Sequence, residues 1–376
     1  MRRDMAMLSI LAAVTGAAAG SACAQQQDQP ESTTPADTAQ AAAEVRDTKG
    51  NVFVLARWIG PGTSKGLDAT GRIQPFHTDA VDRDYSNMTD EELAIALRPV
   101  RAQVTNGDAY EYVLKEPDLA FARAVRAARG AAIIGQGHSV DPEPSVPPEM
   151  MHPKSVIGPD SRELRRDNES YPMRTQVWST HGCSGTLIGP STMVTAAHCV
   201  ASTSDWFRWP TYYPGVDAQD SNPFPWGALS CYDVTIPSAW WGSGAVSDDF
   251  AVIEFGTRCG QFPGNTVGWL GYFATDSGSS ITGATNFIYG YPADKSPYPQ
   301  IWGIGGSIST SIWYPARLFY SIDTFGGQSG SGVYQYRGGT DRYVVGIHNG
   351  SFDSDENEAR WLDTTVGSFI RTYSAL

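Results

Sequence analysis

The feature that most constrains the fold is the chain order of three segments that each carry a reactive side chain. His198 comes first, Asp249 directly precedes the apolar run Phe250–Ile253, and Ser329 lies in the glycine-rich turn Phe325–Gly332. A histidine, a carboxylate and a serine can form a nucleophilic triad, and their chain order differs between unrelated folds. The order His, Asp, Ser therefore restricts both the chemistry and the fold.

Each of the three side chains has a defined task in acyl transfer. A serine hydroxyl is a weak nucleophile at neutral pH and needs an adjacent base. His198 would take the proton of Ser329, while a carboxylate on the other ring nitrogen would fix the imidazole tautomer. Asp249 is the expected carboxylate because it directly precedes the strand-like run, and Asp248 is the alternative.

The glycines before Ser329 predict an oxyanion hole. Gly326 and Gly327 let the backbone turn sharply, so that the N–H groups of Gly327 and Ser329 can face a substrate carbonyl. Taken singly, such a turn is more often only flexible, and an aspartate before an apolar run more often starts a strand. The three segments together, in this order, favour catalysis.

Several further segments have a distinctive sequence. They are Cys183–Pro190, Val194–Cys199, Asp249–Ile253, Gly290–Lys295, Asp323–Ser331 and Val345–Gly350, preceded by Ser155–Gly158. Together they resemble the chymotrypsin-like serine peptidases, and within them the bacterial glutamyl endopeptidases, over residues 155–376. The resemblance implies an all-β fold of two six-stranded antiparallel β-barrels with a C-terminal helix and with the active site between the barrels. Ser155–Gly158 resembles the start of the mature enzyme in that family.

The resemblance also assigns a specificity pocket for an acidic side chain. In that family, the residue five positions before the nucleophile and a histidine on a later strand receive the substrate carboxylate. Here these are Thr324 and His348, with Ser351 as a further donor. A buried carboxylate needs a cation or several donors, and histidine can supply the charge because its ordinary pKa is near 6.5. From its position alone, His348 is better interpreted as a core histidine in a strand.

Asp323 and Gln328, which both precede Ser329, bear on specificity and activation. Asp323 lies six positions before Ser329, where trypsin-type enzymes keep the acid that selects Lys and Arg, so a basic substrate is the rival. Gln328 stands where trypsin-type zymogens have an acid that pairs with the new N-terminal amine. Because Gln328 is uncharged, that ion pair cannot form, and the resemblance implies that the amine of Ser155 or Val156 adds positive charge near the pocket instead.

The first 24 residues predict a secretory signal peptide. Arg2 and Arg3 precede the mostly apolar stretch Met7–Ala19, and Ala22–Ala24 reads as an A-x-A cleavage site. The apolar stretch is too short to span a membrane. We therefore expect a secreted protein, extracellular or periplasmic, that is not membrane-bound after signal removal.

Residues 25–154 predict an α/β propeptide that blocks or chaperones the enzyme. Residues 25–50 have almost no large apolar side chains, which is typical of disorder, and residues 136–154 are rich in proline. Between them, the patterns predict a strand at Val52–Leu55, a helix over Asp90–Leu97 with a capping-box start at Thr89, and an amphipathic helix over Leu119–Arg129 ended by Gly130. Maturation is expected after Lys154.

The region 155–376 consists of short apolar runs broken by Gly, Pro, Ser and Asn, which indicates an all-β domain. We assign residues 155–262 to the first barrel, 263–363 to the second and 364–375 to the C-terminal helix. His198 and Asp249 would then belong to the first barrel, and Ser329 and His348 to the second.

The cysteine count agrees with export. Cys23 would leave with the signal peptide, and the remaining even number of cysteines in an exported protein predicts disulfides. The resemblance pairs Cys183 with Cys199, which leaves Cys231 with Cys259. No CxxC spacing is present and Cys199 adjoins a histidine that already has a role, so we expect no zinc site, and we assign no metal ligand and no cofactor.

The net charge of −13 bears on partners. After residue 155 the only lysine is Lys295, and an acidic surface disfavours nucleic acid and anionic membranes. The expected partners are protein or peptide substrates and the chain's own propeptide, and the enzyme is expected to be a monomer.

The sequence thus predicts a secreted serine endopeptidase, made as a zymogen, that cuts after Glu and less readily after Asp. Cleavage after Lys, Arg or small residues is one alternative, and a non-catalytic binding protein on a peptidase scaffold is another. Gly332 and Asn349 depart from residues common in the family, and both are expected at the pocket rim. These departures bear on specificity more than on catalysis.

Overall fold

Two β-sheets organise the part of the chain that the structure describes. The computed structural model describes residues 42–65, 67–68, 70–73, 80–140, 158–256 and 258–376, and all of these belong to one compact unit, Ala41–Leu376. The predicted signal peptide and the predicted maturation site after Lys154 lie outside the described residues.

Within the described residues, the N-terminal part of the chain forms five strands and two α-helices. They are β1 (Glu44–Arg46), β2 (Val52–Gly60), α1 (Asp90–Ala96), β3 (Pro99–Thr105), β4 (Asp108–Leu114), α2 (Leu119–Ala128) and β5 (Ile133–Gly135), with a 3₁₀ turn at Tyr85–Asn87. α1 begins with the predicted capping box: the Thr89 hydroxyl accepts from the Glu92 N–H, and the Glu92 carboxylate accepts from the Thr89 N–H. α2 ends two residues before Gly130, close to the predicted position.

Part of the stretch predicted to be disordered is ordered instead. β1 lies within residues 25–50 and pairs antiparallel with β2, with Val45 opposite Phe53. Val45 is half-buried and packs against the main apolar core. One apolar residue in a polar stretch is a weak signal, and here the neighbouring strand supplies the hydrogen bonds that composition does not reveal.

The peptidase-like part of the described chain is formed mainly by strands. They are β6 (Glu163–Leu164), β7 (Gln176–Ser179), β8 (Cys183–Leu187), β9 (Thr192–Thr195), β10 (Tyr212–Pro214), β11 (Tyr232–Pro237), β12 (Ala251–Glu254), β13 (Gly271–Ala274), β14 (Asn286–Gly290), β15 (Trp302–Gly306), β16 (Ser309–Thr310), β17 (Arg317–Tyr320), β18 (Gly332–Arg337), β19 (Asp341–Ser351) and β20 (Asn357–Trp361). The helices are α3 (Trp240–Ser243), α4 (Gly264–Val267) and α5 (Thr364–Tyr373), with 3₁₀ turns at Met173–Thr175, Ala197–Cys199, Val246–Asp248 and Gly278–Ser280. Among the helices that the structure describes, none combines the length and the hydropathy of a membrane span.

The first sheet joins the two parts of the chain. Its strand order is β1-β2-β4-β3-β11-β12-β9-β8-β7-β10, so four strands from the N-terminal part are followed by six from the predicted first barrel. The junction is the antiparallel pair β3 and β11, which runs from Val104 opposite Tyr232 to Pro99 opposite Pro237. The predicted all-β, two-barrel architecture is confirmed, and the N-terminal part continues its first sheet.

The second sheet has the order β16-β17-β20-β19-β18-β14-β15-β6, with β13 on β19 and β5 on β13. Its pairs are antiparallel except β13 with β19, which is parallel. β6 lies within the range assigned to the first barrel but pairs with β15 of the second sheet. The first strand of the peptidase-like part, β6, therefore belongs to the second sheet, and the next strand, β7, belongs to the first.

The C-terminal helix packs between the N-terminal part and the segment that carries Asp249. α5 covers most of the range predicted for it, and its buried Phe369 lies 6.4 Å from Phe121 of α2 and 5.2 Å from Phe250, measured between ring centroids. Burying a phenylalanine side chain stabilises a fold by about 1.5–3 kcal/mol. Aromatic packing thus ties α5 to α2 on one side and to the residue after Asp249 on the other.

Both predicted disulfides are confirmed. Cys183 of β8 is bonded to Cys199, the residue after His198, and Cys231 is bonded to Cys259. The first disulfide fixes the turn that carries His198 onto β8.

Candidate active site

His198 and Asp249 are brought together by the pairing of two strands. His198 lies in the 3₁₀ turn after β9, Asp249 directly precedes β12, and the two strands pair with Thr195 opposite Ala251. The His198 Nδ1 lies 2.7 Å from the Asp249 Oδ2, and the Asp249 Oδ1 accepts from the His198 backbone N–H at 2.9 Å. Both side chains are buried. A buried carboxylate in this position holds the imidazole in one orientation and tautomer.

The alternative carboxylate, Asp248, faces a different set of donors. It accepts hydrogen bonds from Ser243 Oγ at 2.7 Å, from Arg83 Nε at 2.9 Å and from the Tyr85 hydroxyl. Asp248 is fully buried, so these contacts supply the charge balance and the donors that a buried carboxylate needs. The structure therefore gives Asp249, and not Asp248, the contact with His198.

The turn that carries Ser329 requires glycine on both sides of the serine. Gly327 has φ +107°, and a Cβ there would lie 2.4 Å from the Tyr291 carbonyl oxygen. Gly330 has φ +87°, and its Cβ would lie 2.2 Å from the Ser184 carbonyl oxygen. Any side chain at either position would clash with backbone that cannot move away, which explains the glycine-rich sequence.

Two N–H groups of this turn are available to a ligand. Across the described ranges, neither the Gly327 N–H nor the Ser329 N–H donates to another group of the chain. The Gly326 carbonyl, in the same peptide unit as the Gly327 N–H, accepts from the Ala293 N–H at 2.8 Å, and the Gln328 carbonyl, in the same unit as the Ser329 N–H, accepts from the Ser331 N–H at 2.9 Å. Hydrogen bonds to their carbonyl groups thus fix the peptide units that carry the two N–H donors, as electrostatic preorganisation requires.

Asn349 connects Ser329 to Asp249, a contact that the sequence analysis missed. Its Nδ2 donates to Asp249 Oδ2 at 2.6 Å and to the Asp249 carbonyl at 3.0 Å, while its own carbonyl accepts from Ser329 Oγ at 3.2 Å. Its Oδ1 accepts from the Arg360 N–H. Asn349 therefore lies at the centre of the site and not only at the pocket rim.

Strand alternation could have revealed Asn349. It follows His348 in β19, and successive side chains of a strand face opposite sides of the sheet. If His348 faces the specificity pocket, the next side chain turns away from that pocket. The sequence contains this signal, but it does not say that the opposite side holds Asp249.

His348 is a buried histidine with two close oxygen neighbours. Its Nδ1 lies 2.6 Å from the Tyr320 hydroxyl and 3.1 Å from the Glu358 carbonyl. Burial lowers the pKa of His348 to about 3, so the ring is neutral near neutral pH in the substrate-free protein. This environment fits the core-histidine interpretation and leaves acid recognition to be tested with substrate.

The other two predicted pocket residues are more exposed. Thr324 is half-buried, and Ser351 is exposed, with its hydroxyl donating to Asn357 Oδ1 at 3.2 Å. Within the described part of the chain, no hydrogen bond joins Thr324, His348 and Ser351 to one another. The pocket assignment stays a prediction.

The neutral, buried His348 predicts a pH-dependent stability. In the unfolded chain a histidine has a pKa near 6.5, against about 3 for His348 in the fold, so below pH 6.5 the unfolded state binds more protons. The contribution of His348 to stability is therefore full above pH 6.5 and is lost as the pH falls toward 3. At pH 5 the loss is about 2 kcal/mol. Urea unfolding at pH 7.5 and pH 5 measures it.

The control for this prediction is a His348→Gln variant, with both proteins carrying Ser329→Ala to prevent self-digestion. The variant should lose about 2 kcal/mol less than its parent between the two pH values. Burial raises the pKa of Glu254 to about 7, which acts in the opposite direction but is common to both proteins and cancels in the difference. Equal losses in the two proteins would contradict the prediction.

Asp323 and Gln328 are both fully buried. The Asp323 Oδ2 accepts from the Ser161 N–H at 2.8 Å and from its hydroxyl at 2.7 Å, and burial raises the pKa of Asp323. The Gln328 side chain accepts from the Phe325 N–H at 3.0 Å and donates to the Trp302 carbonyl at 3.3 Å. Gln328 thus makes neutral hydrogen bonds where a trypsin-type zymogen would need an acid.

The residues at the site do not form a metal-binding set. Across the described ranges, the His, Cys, Asp and Glu side chains close enough to share an ion are those of Cys183, His198 and Cys199. The two sulfur atoms form a disulfide, and the His198 Nδ1 faces Asp249. Because metal binding by cysteine requires a free thiolate, this donor set does not fit a metal.

The known proteins to which this chain is similar are named as proteases, one of them as a metalloprotease. Residues 162–226 match the Trypsin family. The chain is 33% identical over 210 residues (53% of its length) to an extracellular metalloprotease of Bacillus subtilis strain 168. It is 39% identical over 187 residues (48% of its length) to the glutamyl endopeptidase of Bacillus licheniformis. The matches span 64% and 55% of those proteins, less than two thirds of either.

A solved structure of a Glu endopeptidase in complex with MPD aligns with 57% of this chain and 97% of its own, at 30% identity and a TM-score of 0.48. The family match and the sequence relatives, together with the two β-sheets, place the chain among the chymotrypsin-like serine peptidases. Within that class, its relatives include the glutamyl endopeptidases, the group that the sequence segments resemble.

Proposed function

We propose that this chain is an exported serine endopeptidase, made as a zymogen, that cuts peptides after Glu and less readily after Asp. The observation that carries the proposal is the chain of contacts from His198 through Asp249 and Asn349 to Ser329. The Gly327 and Ser329 N–H groups, which have no other partner across the described ranges, support the same chemistry.

In the proposed reaction, Ser329 Oγ attacks the scissile carbonyl carbon, and its proton passes to His198 Nε2. The carbonyl oxygen becomes an oxyanion that accepts from the Gly327 and Ser329 N–H groups. The imidazolium, stabilised by Asp249, gives its proton to the leaving amine, and an acyl-enzyme on Ser329 remains. A water molecule, deprotonated by His198, then releases the acid product and restores the serine.

The preference for Glu rests on Thr324 and His348. A substrate carboxylate beside His348 would favour the charged imidazolium and so offset the effect of burial on its pKa. Binding of a glutamate side chain would then be accompanied by proton uptake, and the Thr324 hydroxyl would add a neutral donor. Ser351 lies on the exposed side of β19 and is the weaker candidate.

One observation favours cleavage after Lys or Arg as the second candidate. The Asp323 Oδ1 is buried and has no hydrogen-bond partner among the described residues. A buried carboxylate oxygen of this kind would suit a cation. Against this second candidate, the Ser161 N–H and hydroxyl already donate hydrogen bonds to Asp323 Oδ2.

Digestion of an unbiased peptide mixture by the activated protein tests the proposal, with mass-spectrometric mapping of the cuts. We expect cuts after Glu, fewer after Asp, and none from a Ser329→Ala protein. Cuts after Lys or Arg would assign the pocket to Asp323 and overturn the Glu preference. Absence of cuts, together with no labelling of Ser329 by a fluorophosphonate, would favour a non-catalytic binding protein.

The proposal also includes export through a signal peptide and activation by cleavage of the propeptide. Residues 1–24 would be removed as a signal peptide, and a cut after residue 154 would separate the propeptide, residues 25–154, from the peptidase chain. The two disulfides are consistent with an oxidising compartment outside the cytoplasm. N-terminal sequencing of the protein from culture medium should find the mature start at Ser155 or Val156, and a chain still beginning near residue 25 would contradict activation by cleavage.

A further inference from the structure

The N-terminal segment, defined here as residues 42–140 of the described chain, provides strands to both sheets. β3 pairs with β11 over six residues, and β5 pairs with β13. In the described sheet, β11 has β3 on one side and β12 on the other. Removing the segment would turn β11 into an open edge with a row of unpaired N–H and carbonyl groups.

The apolar core is shared as well. Val100 and Val104 of β3 belong to the same buried cluster as Val177 of β7 and Ile253 of β12. The ring centroids of Phe121 of α2 and Tyr373 of α5 lie 5.0 Å apart. Both residues belong to the main apolar core, which spans both parts of the chain. Separation would expose these apolar side chains to water on both faces, which opposes dissociation.

Buried polar side chains also cross the boundary. Arg101 of the segment is 6% exposed, and its guanidinium donates to Thr235 Oγ1 at 3.1 Å and to the Tyr373 carbonyl at 3.1 Å. Glu111 of the segment accepts from the buried Trp206 Nε1 at 2.6 Å. If the segment left, these groups would exchange their protein partners for water, and because Arg101 and Glu111 are charged, their hydrogen bonds favour the associated state.

The segment also contacts the loop that carries the catalytic carboxylate. Arg83 Nε and the Tyr85 hydroxyl donate to the buried Asp248, and the Arg83 N–H donates to Ser247 Oγ at 2.9 Å. Asp82 Oδ1 accepts from the Ser247 N–H at 3.1 Å. Ser247 and Asp248 immediately precede Asp249, so the segment holds the two residues that lead into Asp249.

The same stretch reaches the second sheet. The Asp82 carboxylate pairs with Arg317 of β17 at 2.6 Å, and Arg317 pairs in turn with Glu358 of β20 at 2.7 Å. The side chains of Asp82, Arg317 and Glu358 are all at most 5% exposed. The segment is therefore joined to both halves of the peptidase fold by ion pairs, and the Asp82–Arg317 pair is buried on both sides.

We propose that the N-terminal segment remains on the enzyme after maturation as a second, non-covalently bound chain, and is not released. The partner of the peptidase surface formed by β11, β13, α5 and the Ser247–Asp248 loop is then the chain's own N-terminal segment. This inference rests on the proposed function only in taking the maturation cut to fall between Val140 and Gly158.

The test uses the full chain with Ser329→Ala and with the recognition sequence of an unrelated site-specific protease inserted between Val140 and Gly158. After complete cutting, size-exclusion chromatography should show both pieces in a single peak at the mass of the intact chain, in equal amounts. They should separate only in denaturant. Two separate peaks in native buffer would overturn the inference.

A variant pair tests whether the contacts described above hold the two pieces together. Arg83→Met with Tyr85→Phe should raise the dissociation constant of the cut pieces by about tenfold or more, because Asp248 loses a charged and a neutral donor. Arg123→Met is the matched control, since Arg123 is exposed and its salt bridge to Asp90 lies within the segment. Equal dissociation constants for the pair and the control would contradict the anchor at Asp248.

The outcomes separate this inference from the proposed function. Co-elution is measured on an inactive protein and needs no peptidase activity, so it can hold even if no substrate is ever cut. Conversely, a released chain from residue 158 onward that cuts peptides at full rate would overturn the inference and leave the proposed function intact.

Discussion

Replacing Ser329 by alanine is expected to lower kcat for a Glu-containing peptide by roughly six orders of magnitude. The variant keeps the fold and the oxyanion donors but has no hydroxyl to form the acyl-enzyme, so only binding and electrostatic effects remain. Initial rates with a fluorogenic peptide, using purified activated protein at several hundredfold higher concentration for the variant, would measure the loss.

Ser331→Ala is the matched control, because it makes the same chemical change two residues away. Ser331 is fully buried, and its hydroxyl has no hydrogen-bond partner among the described residues. We expect its kcat to stay within a few-fold of the parent protein. A similar loss in both variants would indicate a damaged turn, and full activity in Ser329→Ala would exclude Ser329 as the nucleophile.

Replacing Asp249 by asparagine is the second change with a large expected effect. It should lower kcat by about 10⁴-fold near neutral pH. The amide keeps the shape of the carboxylate but can donate toward His198 Nδ1, which favours the wrong tautomer, and it offers no negative charge to the imidazolium. A pH–rate profile of the variant, compared with that of the parent, measures both the size of the loss and its dependence on His198 protonation.

Asp248→Asn makes the same change one residue earlier. Asp248 bonds to Arg83, Tyr85 and Ser243, so this variant should lower the urea midpoint of unfolding while kcat falls by at most about tenfold. If Asp248→Asn lost as much activity as Asp249→Asn, the assignment of the catalytic carboxylate would be wrong.

Local chemistry explains which parts of the structure were predictable. Thr89 and Glu92 form a capping box because four consecutive residues contain all that the motif needs. The disulfides Cys183–Cys199 and Cys231–Cys259 were predicted through the family resemblance and are present. The C-terminal helix was implied by the family resemblance, and it begins where Asp363 caps it.

Other features depend on segments that are distant in sequence. One such feature is which of the two neighbouring carboxylates, Asp248 or Asp249, contacts His198. Arg83 and Tyr85 lie more than 150 residues earlier and donate hydrogen bonds to Asp248. The role of Asn349 depends on the register of β19, which places one side chain on Asp249. Neither partner can be found by inspecting the neighbours of these residues in the sequence.

By itself the sequence predicted the candidate reactive residues, the class of fold, the capping box at Thr89 and, through the family resemblance, the cysteine pairs, because each follows from a short motif or from a resemblance carried by such motifs. Only the tertiary structure decided that β3 pairs with β11, that Asp82, Arg83 and Tyr85 hold the loop before Asp249, and that Asn349 joins Asp249 to Ser329. The physical reason is that strand pairing and buried ion pairs form between surfaces that exist only after the chain has folded, and their register has no local signature.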